Sequence, residues 1–234
     1  MRVVGFQETS LVDWDGRIAA VVFVGGCNFT CPFCHNHAVA DDDSGLATVS
    51  LEDIGRTLHR KRDWYYGVVI TGGEPMLHPE IFDLCRQMKQ GGRKVKLDTN
   101  GSFPYPLKDL IELRLVDYVA MDIKAPLTDR YSAACGHPVE VAVIRRSIRL
   151  LRETGIEHEF RTTLVPGLVN PEDMPAIGAE LADAPRVVLQ HFQPAAARVP
   201  GYAGGRTYSQ AEAEAMAESL RPFVKEVRLR GKFL

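Results

Sequence analysis

A chain of 234 residues with 45% hydrophobic and 25% charged side chains has the apolar material for a sizeable core and the composition of an ordinary folded domain. Its formal net charge of -2 offers no broad basic field to nucleic acid or an anionic membrane, and no apolar run reaches the ~20 residues of a membrane span. The opening MRVVGFQETS lacks a signal-peptide layout, so a cytoplasmic protein with no nucleic-acid and no membrane partner is expected.

In chain order, Ile18 to Val24 is a near-continuous apolar run, the pattern of a strand covered on both faces. Ser50 is placed to cap a helix with Leu51, Ile54 and Leu58 on one face. His59 to Asp63 reads as its solvated end. GVVITGG is a second strand ending in a glycine turn. Ile81, Leu84, Cys85 and Met88 then recur at helical spacing, with Cys85 in the core and a glycine pair as the stop. KVKLDTNG and VDYVAMDIK read as the third and fourth strands. Val139 to Thr154 is predicted helical, with Val141, Ile144, Ile148 and Leu151 aligned and Gly155 closing it. IEHEFRTTLVPG is the fifth strand. Asn170 and Pro171 open a further helix, and RVVLQHF is the sixth strand. QPAAARVPGYAGG is a loop long enough to suggest a functional role. Ser209 and Glu212 form a capping box for the last helix, and KEVRLRG adds a seventh strand.

Strands spaced by helical segments imply repeated βαβ units and a parallel sheet. With ~6 such units the sheet is either doubly wound or curled into an incomplete barrel. No repeat or interdomain linker interrupts the chain, so residues 1–234 read as a single domain with a short N-terminal extension.

Chemically unusual residues gather where predicted strands end. Cys27, Cys31 and Cys34 follow the first strand, and Gly72, Gly73 and Glu74 the second. Asp98 and Asn100 end the third, Asp122 and Lys124 the fourth, Arg161 lies in the fifth, and His191 and Gln193 close the sixth. In parallel α/β folds the carboxyl ends of the strands share the face that carries the active site. Each motif also has a plain structural reading. Glu74 fits the first turn of a helix, DTNG fits a turn, Asp122 and Lys124 fit a solvated ion pair, and Arg161 fits a wet strand face.

The cysteines admit three readings. Cys27, Cys31 and Cys34 with His35 or His37 offer four zinc ligands, but no second ligand knuckle accompanies them. CPFC after a strand fits a redox dithiol, which leaves Cys27 unexplained. Three thiolates on a [4Fe–4S] cluster leave one iron open for a substrate. The odd total of five cysteines, three of them clustered, does not suit a secreted disulfide framework.

CNFTCPFC, with an aromatic residue before its last cysteine, resembles the cysteine signature of radical S-adenosylmethionine (SAM) enzymes, and GGEP resembles their methionine-binding motif. CHN, DTNG, MDIK and the R-x4-PG pattern are similar to those of glycyl-radical-enzyme activases. TSLVDWDGRIAAVVFVGGCNFTCPFCHN is similar to the opening of anaerobic ribonucleoside-triphosphate reductase activating proteins. The resemblance runs from about Gly5 to the last strand. It implies a partial (β/α)6 TIM-like barrel of parallel strands. It also implies a [4Fe–4S] cluster on Cys27, Cys31 and Cys34 whose free iron chelates S-adenosylmethionine, with Phe33 beside the adenine. By the same likeness Gly72, Gly73 and Glu74 receive the methionine ammonium. Asp98 and Asp122 lie around the methionine end, with room for a monovalent cation, and Lys124 and Arg161 offset the carboxylate. Gln193 falls at the ribose and Asp13 near a peptide substrate.

The activity implied is reductive cleavage of S-adenosylmethionine to a 5′-deoxyadenosyl radical that abstracts hydrogen from a backbone glycine of a partner, a glycyl radical enzyme such as anaerobic ribonucleotide reductase. Flavodoxin or ferredoxin would supply the electron. A small-molecule or peptide substrate, and a non-catalytic zinc or iron–sulfur module, are the alternatives. The chain departs from the family at Asp15, where relatives carry proline, at Gln193, where some carry histidine, and at Cys135, often threonine. No additional ferredoxin-like cysteines point to a second cluster.

Overall fold

Strand and helix alternate along the chain as the hydrophobic pattern predicts. The computed structural model describes residues 1–202 and 204–233. Ala203, within the long proline-glycine loop, lies outside the described residues. Two units partition the chain, one from Met1–Asn28, Ala38–Thr99 and Phe103–Val119, the other from Phe29–His37, Asn100–Ser102 and the chain from Ala120 onward.

In the first unit β1 (Val3–Ser10), β2 (Ala19–Val24), β3 (Gly67–Gly72) and β4 (Lys94–Thr99) lie side by side in chain order. β1 runs antiparallel to β2, while β2, β3 and β4 are parallel. Asp117, just before β5 (Tyr118–Asp122), donates its amide to the Val95 carbonyl at 2.8 Å and so sets the next strand beside β4. Ala19 to Val22 and Val68 to Ile70 are fully enclosed. Their β-branched side chains suit a parallel strand covered on both faces. After the short helix α1 (His37–Ala40), this unit carries α2 (Leu51–Arg60), α3 (Ile81–Lys89) and α4 (Pro104–Glu112). Ser50 caps α2 through the amides of Glu52 and Asp53. Ile54 and Leu58 are buried but Leu51 is exposed. A helical side chain leans toward the N-terminus, so a leucine in the first residue reaches past the end of the layer its helix covers. Ile81, Leu84, Cys85 and Met88 all face the core.

In the second unit the end of β5 lies against β6 (Glu157–Leu164), where the Ile123 amide donates to the Arg161 carbonyl at 2.8 Å. β6, β7 (Val187–His191) and β8 (Val227–Arg230) continue in parallel. α5 (Arg130–Cys135), α6 (Val141–Thr154), α7 (Met174–Glu180) and α8 (Gln210–Leu220) complete the unit. α6 begins two residues later than predicted, because the Val139 amide is taken by Ser132 Oγ at 3.0 Å. Asn170 and Asp173 form a capping box ahead of α7, and Ser209 and Glu212 form the expected one on α8.

The α/β class and the parallel strands are as expected. The six predicted strands are β2 to β7 and the seventh is β8; β1 was not anticipated. Among the described residues neither β1 nor β8 has a second neighbouring strand.

Candidate active site

In the first unit the carboxyl ends of β2, β3 and β4 lie level, with Val24 beside Gly72 and Ile70 beside Leu97. Past Gly72 the chain turns against the loop that follows β2. The Gly73 amide donates to the Val24 carbonyl at 2.9 Å and the Glu74 amide to the Gly26 carbonyl at 2.8 Å. A Cβ on Gly73 would strike the Gly26 carbonyl and crowd Cys27, so this approach needs glycine. Glu74 is fully enclosed, and its Oε1 accepts from Thr99 Oγ1 at 3.0 Å and from the Met76 amide at 3.1 Å. The plain reading of Glu74 is therefore half right. It does cap a single turn at Pro75–Leu77, yet it is also tied to the end of β4. Two residues apart on one face of β4, Lys96 and Asp98 form a buried pair at 2.6 Å. Asp13, in the turn between β1 and β2, accepts from Ser10 Oγ at 2.5 Å.

The second unit holds the other charged strand ends. Arg161 Nε lies 2.7 Å from Asp122 Oδ1 and Lys124 Nζ 2.8 Å from Oδ2. These side chains are only 11%, 24% and 18% exposed for Arg161, Asp122 and Lys124. Neither a solvated pair nor a wet strand face describes them. Burial pushes the Asp122 carboxyl upward, but the Arg161 and Lys124 cations outweigh it and hold Asp122 well below the usual carboxylate range. Against its own burial, Lys124 is held well above the usual ammonium range by Asp122.

The segment carrying Cys31 and Cys34 is fastened on two sides of the same unit. The Thr30 amide donates to the Cys135 carbonyl at 2.9 Å, and Thr30 Oγ1 to the Gly136 carbonyl at 2.6 Å. Gly136 ends α5 at φ 62°, and a Cβ there would collide with the Thr30 carbonyl. On the other side the Val199 amide donates to the Pro32 carbonyl at 3.0 Å, which gives the long loop a structural purpose. The Cys34 amide closes a turn onto the Cys31 carbonyl at 3.1 Å. A hydrogen bond from Cys135, assisted by Lys124, draws the buried Cys31 thiol down to about 7. Burial pushes the Cys34 thiol up, and burial with Lys124 lowers the His35 imidazole. Phe33 is buried, whereas Gln193 is exposed and starts a single turn at Pro194–Ala196. None of the five cysteines forms a disulfide.

The sequence profile of the radical SAM superfamily matches residues 21–178, a span holding the three clustered cysteines, Glu74, Asp98, Asp122, Lys124 and Arg161. The chain belongs to the radical SAM superfamily. A "Putative glycyl-radical enzyme activating enzyme" of Methanocaldococcus jannaschii is 32% identical over 200 residues, 82% of this radical SAM chain and 80% of the relative. The pyruvate formate-lyase-activating enzyme of Clostridium pasteurianum is 28% identical over 177 residues, 74% of this chain and 72% of its own. SuiB of Streptococcus suis bound to the precursor peptide SuiA shares the fold at a TM-score of 0.69 and 15% identity, over 90% of this chain and 48% of SuiB.

Membership implies a [4Fe–4S] cluster and S-adenosylmethionine, and the donors suit both. Three cysteines stand outside any disulfide, and one thiol is already drawn toward thiolate. Glu74 and the glycine turn before it offer a carboxylate and carbonyls to an ammonium. Among the described residues no three His, Cys, Asp or Glu side chains are grouped for a single metal ion. No described helix is long and apolar enough to cross a membrane. The sequence reading missed Lys96 and Thr99 as partners of the predicted residues, and Cys135 as a partner of Cys31. Lys96 had a signal, since period two puts it on the face of Asp98. Cys135 had none, because its meeting with Cys31 depends on where α5 packs.

Proposed function

We propose that this radical SAM enzyme installs a glycyl radical on a partner protein, as an activase of the anaerobic ribonucleotide reductase type. The observation that carries the reading is the likeness to a named glycyl-radical activating enzyme over four-fifths of both chains. In this reading Cys27, Cys31 and Cys34 hold the cluster. Gly72, Gly73 and Glu74 accept from the methionine ammonium, and Phe33 and Gln193 serve the adenine and ribose. When bound, the cluster and S-adenosylmethionine supply, on one-electron reduction, the 5′-deoxyadenosyl radical that takes hydrogen from a glycine.

The chain's own side chains orient and neutralise. Thr99 and the Met76 amide fix the Glu74 carboxylate in place at the end of β3. Lys96 holds Asp98. Asp122, pinned between Arg161 and Lys124, holds two cations in place to meet a carboxylate, and a monovalent cation is the further guest that the family resemblance implies. Asp13 faces the partner's peptide, and a flavodoxin or ferredoxin delivers the electron.

The test is anaerobic reconstitution followed by co-expression with a glycyl radical enzyme. The reduced protein should be brown, cleave S-adenosylmethionine and leave a glycyl doublet in the partner by electron paramagnetic resonance. Cys31→Ala should lose colour and cleavage together. Cleavage without a radical in any partner would move the substrate to a small molecule or peptide. A colourless, zinc-loaded protein would overturn the reading entirely.

A further inference from the structure

Two glycines, Gly25 and Gly26, separate the end of β2 from Cys27, and their backbone is held at four points within the first unit. The Gly25 amide donates to the Arg2 carbonyl at 3.0 Å and the Gly26 amide to the Val39 carbonyl at 2.9 Å. The Gly26 carbonyl accepts from the Glu74 amide at 2.8 Å. The Gly25 carbonyl lies 2.8 Å from Nε2 of His78, a residue to which the reading above gives no task. A carbonyl only accepts, so the ring must donate and Nε2 carries the hydrogen. Of the four contacts this is the one made by a side chain, and therefore the one that a substitution can remove.

Glu74 and His78 flank the same single turn, Pro75–Leu77, as its first and last caps. That turn grips the glycine pair from both ends, through the backbone at Glu74 and through the imidazole at His78. Gly26 makes room for the ring, since its φ is 89° and a Cβ there would lie 3.4 Å from His78 Nε2. A Cβ on Gly73 would in turn come within 3.2 Å of the Cβ of Cys27. Cys27 and the glycine turn leading to Glu74 are thus neighbours, and the glycine pair is the joint between them. A joint of two glycines is soft by itself, because glycine accepts backbone angles that other residues do not. His78 is half-buried, and its own carbonyl is held by the Ile81 amide at 3.1 Å, so its ring is placed to stiffen that joint.

We propose that His78 is a positioning residue whose Nε2–H, on the Gly25 carbonyl, fixes Cys27 relative to the turn of Gly72, Gly73 and Glu74. This rests on the reading of Cys27 as a cluster ligand and of Glu74 as the acceptor for the methionine ammonium. On that reading one ligand is gripped at two places. A loosened joint weakens its binding while leaving three cysteines to hold iron.

The experiment compares wild type with His78→Gln, which keeps an N–H donor of similar reach, and with His78→Met and His78→Phe, which keep bulk and lose the donor. Hydrogen exchange over residues 24–28 is followed in the metal-free proteins, alongside thermal melting. After anaerobic reconstitution, iron content is measured and the reduced cluster is titrated with S-adenosylmethionine by electron paramagnetic resonance. His78→Met and His78→Phe should exchange several-fold faster at Gly26 and Cys27, keep wild-type iron and need several-fold more S-adenosylmethionine for the same spectral change. KM for S-adenosylmethionine should rise by a similar factor with kcat little altered. His78→Gln should stay close to wild type throughout. Faster exchange with unchanged affinity would make His78 a plain loop staple and overturn the proposal. Unchanged exchange, or a His78→Gln as impaired as the donor-less pair, would overturn it too. Should neither donor-less variant fold or load iron, His78→Gln decides: wild-type affinity supports the N–H contact and weakened affinity overturns it. The underlying reading fails differently, through a reduced wild type that binds no S-adenosylmethionine or a Cys27→Ala that still loads the full cluster.

Discussion

Lys96 is 1% exposed, and its 2.6 Å contact with Asp98 is what makes an enclosed ammonium tolerable. Removing one partner of a buried pair strands the other, at a cost of about 3–5 kcal/mol. Lys96→Met should therefore lower the unfolding free energy by that order, and Lys96→Met with Asp98→Leu should recover most of the loss in chemical unfolding. A double variant no better than the single would show that Asp98 depends on other neighbours. At this scale the sequence was legible where a local period applied and silent where partners meet across the fold. Asp122, Lys124 and Arg161 could each be named, since each sits at a predicted strand end, but the ion triad joining them needs the β5–β6 pairing. Gln193 shows the opposite limit. Its place after β7 follows from the strand, yet its exposed side chain is decided by the turn that it begins.

Elements were the most legible level, because caps and periods are local. Ser50, Ser209 with Glu212, and Gly155 all stand where the helices begin or end. The errors lie at ends and edges. β1 was missed because VVGFQETS turns polar after Phe6, with Gln7, Glu8 and Thr9 exposed, and lacks the continuous apolar run that announced β2. Two C-capping glycines of similar backbone make a paired test. Gly155 at φ 66° has open space around its missing Cβ, whereas Gly136 at φ 62° faces the Thr30 carbonyl. Gly155→Ala should cost about 1–2 kcal/mol, the ordinary penalty of a left-handed alanine. Gly136→Ala should cost more and also lower iron uptake on reconstitution, because the collision displaces the segment that carries Cys31. Equal iron content in the two variants would count against the clamp.

For the molecule as a whole, stability in acid should depend on Asp117. Its carboxylate meets Lys89 of α3 at 2.6 Å, Lys94 of β4 at 3.0 Å and the Val95 amide at 2.8 Å, tying three segments of the first unit together. Burial would raise this carboxyl, but the lysine and amide contacts prevail and hold it below its ordinary value. A depressed folded value means that the stabilisation is fully present above the unfolded value of about 3.9 and is lost as pH falls through the folded one. Asp117→Asn should melt earlier than wild type at neutral pH, and that gap should close below about pH 4 in a series of thermal melts. A gap that persists unchanged in acid would assign the effect to packing. At this scale the fold class was legible from strand–helix alternation, and family membership from two short motifs.

β8 holds only Val227–Arg230, and its free side carries no strand among the described residues. A strand margin of unsatisfied amides and carbonyls is a template on which a second chain can grow. Here the margin is four residues long and carries two guanidinium groups, Arg228 held 2.5 Å from Glu226 and Arg230 3.4 Å from Glu159. Brevity and fixed positive charge make it a poor seed for fibrous growth, so the chain can leave this margin bare without inviting its own aggregation.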